Sequence, residues 1–217
     1  MTRFYSVKGM GSHKQLPSVT SIIQETLPEP PELEAWRRKN TNWKTILARA
    51  QVHGTLIHHR ILAPLHMGLL ELPDIPMTEW YTDTLEIVEN GEYMWNTLDI
   101  KVGFPRLVEH LIIHRKEKYA GRLDMCAPIS FDGDEFINTI VDLKTSKQVR
   151  DVHKIQMGGY YGALPDKQKP EQGLIVGLPP ESKSLTPHTT FLYKEDLLKY
   201  EEQFYELARE WHKRHSL

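Results

Sequence analysis

The chain has 217 residues, 40% hydrophobic and 26% charged, the proportions of an ordinary globular protein with one domain or one core plus an annex. No apolar run approaches the roughly 20 residues that cross a bilayer, and Met1-Thr2-Arg3-Phe4-Tyr5 lacks the apolar block of a secretory signal, so a cytoplasmic protein without membrane attachment is expected. A single cysteine, Cys126, excludes a disulfide framework and any four-cysteine metal or iron–sulfur site, and the formal net charge of −2 shows no overall basic excess.

In chain order, Pro17-Ser18-Val19-Thr20 reads as a helix start with a capping serine. Leu27-Pro28-Glu29-Pro30-Pro31 is a stiff break between short helices. Arg37-Arg38-Lys39, with Lys44 and Arg49, forms a basic cluster, and Lys213-Arg214 a second. Each reads equally well as a phosphate-facing patch or a solvated helix face. From Trp43 to about Leu62 the residues Leu47, Ala50, Gly54, Ile57 and Ile61 fall on one helical stripe, which Pro64 ends. A second helix is expected from Thr78 to about Asp99, interrupted near Asn90-Gly91.

The pattern then turns to strands. Leu107–His114, Gly121–Ile129 and Phe136–Lys144 read as a three-strand meander, with turns at Lys116-Glu117-Lys118 and Phe131-Asp132-Gly133-Asp134. A helix follows over about Lys147–Leu164, then a buried strand Gly173–Gly177 and an edge strand Thr189–Tyr193. The last helix, Lys194–Arg214, carries the stripe Leu197, Tyr200, Phe204, Leu207, Trp211. This order predicts an α/β fold, a sheet flanked by helices. Residues 1–217 form one domain: a mainly helical annex over 1–104, the sheet and its helix over 105–193, and a C-terminal helix over 194–217.

Four places carry chemistry. In Asp142-Leu143-Lys144, residues two apart on a strand share a face, so the carboxylate and the ammonium stand together while Leu143 faces the core. Asp124, in Gly121-Arg122-Leu123-Asp124, comes opposite or diagonal to Asp142 across the meander. Two like charges that close repel, and a divalent cation is the natural compensation; oxygen ligands favour Mg²⁺ or Mn²⁺. Glu109 adds a third carboxylate at the edge of the cluster. Gln156 and Tyr160, four apart in an otherwise apolar stripe, point one helix face toward something polar. In Gly54-Thr55-Leu56-Ile57-His58, His58 lies one turn after a glycine that permits close approach, whereas His59 is turned about 100° away, toward solvent. The spacing of His53, His58, His59 and His66 fits no compact zinc motif, so a zinc-stabilised structural helix is the weakest alternative.

Taken in order, Gly54-Thr55-Leu56-Ile57-His58, Gly121-Arg122-Leu123-Asp124, Asp142-Leu143-Lys144 and Gln156 with Tyr160 resemble the RecB-like branch of the PD-(D/E)XK nucleases. Leu16-Pro17-Ser18-Val19-Thr20 also resembles an N-terminal element of that group, so the likeness spans about residues 16–161. The resemblance implies a restriction-endonuclease-like core with a central mixed sheet. It also implies a metal held by Asp124, Asp142, the Leu143 carbonyl and His58. Lys144 would position or activate water, Gln156 would orient Lys144 or a phosphate, and Tyr160 would contact DNA or support the site. The implied activity is that of a Mg²⁺- or Mn²⁺-dependent DNA exonuclease on single strands or duplex ends, in replication, repair or recombination. A structure-specific or restriction-type endonuclease and a non-catalytic nucleic-acid-binding module are the alternatives. The cluster-bearing relatives are excluded by the single cysteine, and processive action would need a helicase or replication partner, because no ATP-binding loop is present. The middle segment, Leu65–Phe104, matches no element of the group.

Overall fold

A computed structural model describes residues 3–7, 14–66, 81–104, 106–131, 133, 135–181 and 183–215. Its elements are β1 (Phe4–Val7), β2 (Lys14–Pro17), α1 (Val19–Thr26), α2 (Pro31–Lys39), α3 (Trp43–Leu62) and α4 (Tyr81–Asn96). They continue as β3 (Lys101–Val102), β4 (Leu107–His114), β5 (Tyr119–Ser130), β6 (Ile137–Lys144), α5 (Asp151–Ala163), β7 (Gln172–Gly177), β8 (His188–Tyr193) and α6 (Lys194–Arg214). Among the described residues no helix is long and apolar enough to cross a membrane.

The chain is α/β, with a six-stranded mixed sheet in the order β3-β5-β6-β7-β8 and β4 also paired to β5. β3 and β4 share one edge of the long β5, at its end and its beginning respectively. Only β6 and β7 run parallel, so the chain must cross over between them, and α5 makes that crossing. Helices cover both faces. On one, Val19 and Ile22 of α1, Met157 and Tyr161 of α5, and Phe204 of α6 pack against Leu123, Ile140 and Ile175. On the other, Ile57 and Ile61 of α3 and Met94 of α4 pack against Met125, Val141, Leu143 and Val176. β6 is therefore buried on both sides, and Asp142 is as inaccessible as Leu143.

Local chemistry sets the boundaries. Ser18 caps α1, its hydroxyl accepting the Ser21 N–H at 2.9 Å. α5 begins at Asp151 rather than Lys147, because the His153 imidazole accepts the Arg150 N–H at 3.2 Å and fixes the first turn there. Burial, reinforced by Lys144 and Arg150, pushes the His153 imidazole down to about 4, so it is a neutral acceptor. α4 runs unbroken through Asn90-Gly91, against expectation. Gly91 is there for packing, since a Cβ would come within 2.9 Å of the Ile57 side chain on α3. The annex, expected to be mainly helical, also opens with strands, β1 and β2 forming a two-stranded sheet. The expected turn residues Asp132 and Asp134, and the expected start of α4 at Thr78, lie outside the described residues; Gly133 has φ +88° and donates its N–H to Ser130 Oγ at 2.7 Å.

The α5–α6 contact depends on glycine. A Cβ on Gly158 would overlap the backbone carbonyl of Tyr200, where no side chain can give way. Gly54, by contrast, would place a Cβ in ordinary contact, 3.4 Å from Thr145 Oγ1. Gly158→Ala is expected to lower unfolding free energy by about 1–3 kcal/mol or more, the usual cost of overpacking. Gly54→Ala should be neutral or stabilising by up to about 1 kcal/mol, through helix propensity. Urea unfolding of both variants checks the contrast; equal losses would contradict it.

Candidate active site

The site forms where α3, β4, β5, β6 and α5 converge. Its first feature is a backbone irregularity. Val108 pairs with Met125 and His110 with Leu123, yet the intervening Glu109 and Asp124 are skipped by the ladder. Val108 and Met125 pack toward α3 and α4, whereas Ile112 and Leu123 pack on the opposite face. In a regular strand residues of the same parity share a face, so both strands invert at this pair. Glu109 makes the inversion with φ +48°, a conformation that costs a non-glycine residue on the order of 1–3 kcal/mol and clusters at functional sites.

The inversion brings Glu109 and Asp124 to His58 on α3. One ligand atom from each of His58, Glu109 and Asp124 lies within 4.8 Å of the others, a spacing at which they could hold a metal ion. His58 Nδ1 is 3.4 Å from Asp124 Oδ1. The second Asp124 oxygen accepts the Leu143 N–H at 2.7 Å. In an extended strand the N–H and C=O of one residue point to the same side, so the Leu143 carbonyl also faces β5. Asp142 stands next to this group, one step beyond the last rung between β5 and β6, where Met125 pairs with Val141.

Asp142 heads a second group. Its Oδ2 is 2.6 Å from Lys144 Nζ, but no hydrogen bond is directed at that buried oxygen. Gln156 Nε2 approaches Asp142 Oδ1 at 3.4 Å and donates to Tyr160 Oη at 2.9 Å. Gly121 makes room for that phenol: a Cβ there would lie 2.7 Å from Tyr160 Cε1. The glycine of β5 and the tyrosine of α5 are thus one packing unit.

Burial governs the electrostatics. It pushes the Asp142 carboxyl up, and Asp124 adds to the shift against the opposing pull of Lys144, leaving it raised to about 6. For Asp124, burial is outweighed by His58, Lys144 and the Leu143 N–H, so its carboxyl is held below the usual range. Burial disfavours a charged His58, but Asp124 overcomes it and the imidazole is raised. Burial and Asp124 together raise Glu109. Two adjacent buried carboxylates pushed in opposite directions indicate a site short of positive charge. A divalent cation would meet that need, which Lys144, 2.6 Å from Asp142 Oδ2, answers only in part. The donor set is oxygen-rich with one imidazole and could hold a metal ion.

All eight positions singled out in the sequence therefore meet, in two touching groups: His58, Glu109 and Asp124 in one, and Asp142, Lys144, Gln156 and Tyr160 in the other. Leu143 joins them through its backbone. His59, expected toward solvent, is half-buried and lines the same cleft. That cleft, of about 390 Å³, is also walled by Arg3, Tyr5, Thr55 and Arg122. Arg3 and Tyr5 carried no sequence signal of their own, because β1 reaches the site only by folding back on β2. His53 is a core histidine, its Nε2 3.2 Å from Thr84 Oγ1. The basic clusters are largely neutralised, Arg37 by Glu29 at 2.6 Å, Arg49 by Asp83 at 2.7 Å and Arg214 by Glu210.

No family model matches the chain, and no curated protein matches its sequence. Among solved structures, that titled "Crystal structure of SSO0001" is similar over 70% of this chain and 85% of that chain, at 12% identity and a TM-score of 0.26. So loose a superposition carries no argument about function.

Two outcomes follow from the geometry. Glu109→Gln should weaken Mn²⁺ binding, followed by the paramagnetic resonance of the free ion, by at least the roughly 10–100-fold typical of outer-shell changes; unchanged binding would remove Glu109 from the ligand set. Asp124→Ala should also destabilise the metal-free protein by about 1–3 kcal/mol, because the buried Leu143 N–H loses its acceptor. Asp124→Asn keeps an acceptor oxygen and should recover most of that loss in denaturant unfolding.

Proposed function

We propose that this protein is a metal-dependent deoxyribonuclease with a restriction-endonuclease-like core, of the RecB-like PD-(D/E)XK kind, acting as an exonuclease on single strands or duplex ends. One observation carries the reading. Asp124, Asp142 and Lys144 meet at the centre of the sheet, with His58 supplied from one covering helix and Gln156 and Tyr160 from the other. Structural ion pairs do not need two buried carboxylates, and a binding module that only grips phosphate has no use for them.

His58, Glu109 and Asp124 would hold the ion, with Asp142 and the Leu143 carbonyl beside them. The bound metal would lower the pKa of water and stabilise charge building on phosphoryl oxygens. Lys144, with its side chain 16% exposed next to a carboxylate 2% exposed, is placed to hold the attacking water and to offset charge on the phosphate. The water oxygen would bond to phosphorus as it gives up a proton to solvent, the bond from phosphorus to the leaving sugar oxygen would break, and that oxygen would take up a proton from solvent. Gln156 holds the Tyr160 phenol and reaches Asp142, so it fixes the carboxylate that in turn holds the lysine. Tyr160 stays neutral, since burial and the nearby Asp142 and Asp124 raise its phenol well above the usual range.

End-labelled linear and circular DNA, single- and double-stranded, with Mg²⁺, Mn²⁺ or EDTA, tests the proposal. Metal-dependent loss of linear but not circular DNA is expected. Lys144→Ala and Asp142→Ala should each lower the rate by about 10³-fold or more, the scale at which removing a group that stabilises the transition state is felt. Cutting of circles would make the protein an endonuclease. Binding without cleavage under any metal would make it a nucleic-acid-binding module.

A further inference from the structure

We infer that Arg3 and Arg122 form a second phosphate subsite beside the metal position, reading a phosphate other than the one being cut; this rests on the nuclease reading above. Both arginines line the cleft that holds His58, Glu109 and Asp124. The other cleft-lining feature of note is the absence of a firm counterion for either. Arg37, Arg38, Arg49, Arg60, Arg209 and Arg214 are each paired with a carboxylate at 3.2 Å or less. Among the described residues Arg3 has no carboxylate in ion-pair range. Its guanidinium lies 5.2 Å from the centre of the Tyr5 ring. Among the described residues Arg122 reaches only Glu109, at 3.7 Å, beyond hydrogen-bonding distance.

The two positions differ in how they are held, and both point into the cleft. The backbone of Arg3 is tied to the start of α1: its N–H donates to Ser21 Oγ at 2.8 Å, and its carbonyl accepts the Ser18 N–H at 2.9 Å. The Tyr5 ring limits where its head can go. Arg122 lies on β5 two residues before Asp124, at the rim of the metal group. A metal ion taking up the charge of Glu109 would leave Arg122 without even its distant partner. Two guanidinium groups would then stand beside a divalent cation, an arrangement that is electrostatically unfavourable unless an anion lies among them. A phosphate meets the need, and the planar fork of arginine fits its oxygens. The same chemistry could be presented by an internal phosphodiester or by a phosphorylated strand end.

The test is binding of a fluorescent single-stranded oligonucleotide by anisotropy over a salt series, with Ca²⁺ in place of the catalytic ion. Oligonucleotides with a 5′-phosphate, a 3′-phosphate or neither are compared. Arg3→Gln and Arg122→Gln should each weaken binding about tenfold at low salt, the lower range for hydrogen bonds to charged groups. Each should also flatten the log–log salt dependence by about 0.7, one phosphate on a single strand. If both arginines grip one phosphate, the double variant should flatten it no further. Mn²⁺ affinity should not fall in any of the three variants, because each removes positive charge from beside the metal position. Equal losses on all the oligonucleotides assign an internal phosphodiester; a loss confined to one phosphorylated end assigns a terminal phosphate. Variants that keep wild-type affinity and salt slope overturn the subsite and leave the nuclease reading intact. Wild-type protein that binds no DNA at all overturns both.

Discussion

The hydrogen bond from the Leu143 N–H to Asp124 is the contact on which the site depends. It joins β5 to β6 just past their last regular rung, using a side chain where a backbone carbonyl would otherwise serve. A carboxylate built into a sheet ladder cannot swing out to solvent, so its charge has to be answered where it stands. His58 answers from α3 and Lys144 from β6, and neither suffices, since Asp142 next to them is still driven toward its protonated form. The remaining deficit of positive charge is what a metal ion would fill. A binding site of this kind is paid for by the fold rather than assembled by the ligand.

Topology decides which residues can join. The parallel pairing of β6 with β7 forces a crossover immediately after Lys144, and α5 supplies it across the face where Asp142 points. Gln156 and Tyr160 then fall over the carboxylate because they share one helix face. Tyr160 in turn needs the missing Cβ at Gly121, and α5 itself needs Gly158 to come close enough to α6. Two glycines, Gly121 in the cleft wall and Gly158 behind it, therefore set the height at which its polar groups sit. On the other face, α3 brings His58 in through Ile57 and Ile61, which pack against the same strands.

Much of this could be read from residue patterns, and the exceptions have physical causes. α3 and α6 match their expected bounds because each has an uninterrupted apolar stripe, and α3 has Pro64 close behind it. β4, β5 and β6 were legible from alternation. β1 and β2 were not, being four residues each with no strong apolar pattern, and β3 has only two residues. The start of α5 was misplaced because its cap is an imidazole rather than a hydroxyl or carboxylate. In the site, Asp124, Asp142 and Lys144 could be found because strand spacing puts them on known faces, whereas the metal role of His58 was implied only by the resemblance of its motif. The weight of Glu109 could not. It comes from a left-handed backbone conformation that no residue type announces, in a strand whose sequence looks regular on both sides. Arg3 was equally hidden, since its position depends on a pairing between β1 and β2 and on the ties of Ser18 and Ser21.

The net charge of −2 looks unsuited to a partner as anionic as DNA, but the total is the wrong quantity. What a strand meets is the local field, and low-dielectric walls focus that field in a cleft. Most arginines on the helices are cancelled by acids within a few ångströms, which removes them from the long-range potential. The acids of the site are different, because a bound divalent cation would cancel them. On the proposed reading, with metal in place the cleft would keep two arginines, Arg3 and Arg122, without a close carboxylate partner among the described residues. For the proposed substrate, such a distribution would favour a strand entering the site over one lying across the outside. If the protein acts as proposed, strand binding would then depend on metal without any change in shape, since the ion would alter the sign of the cleft by occupying it.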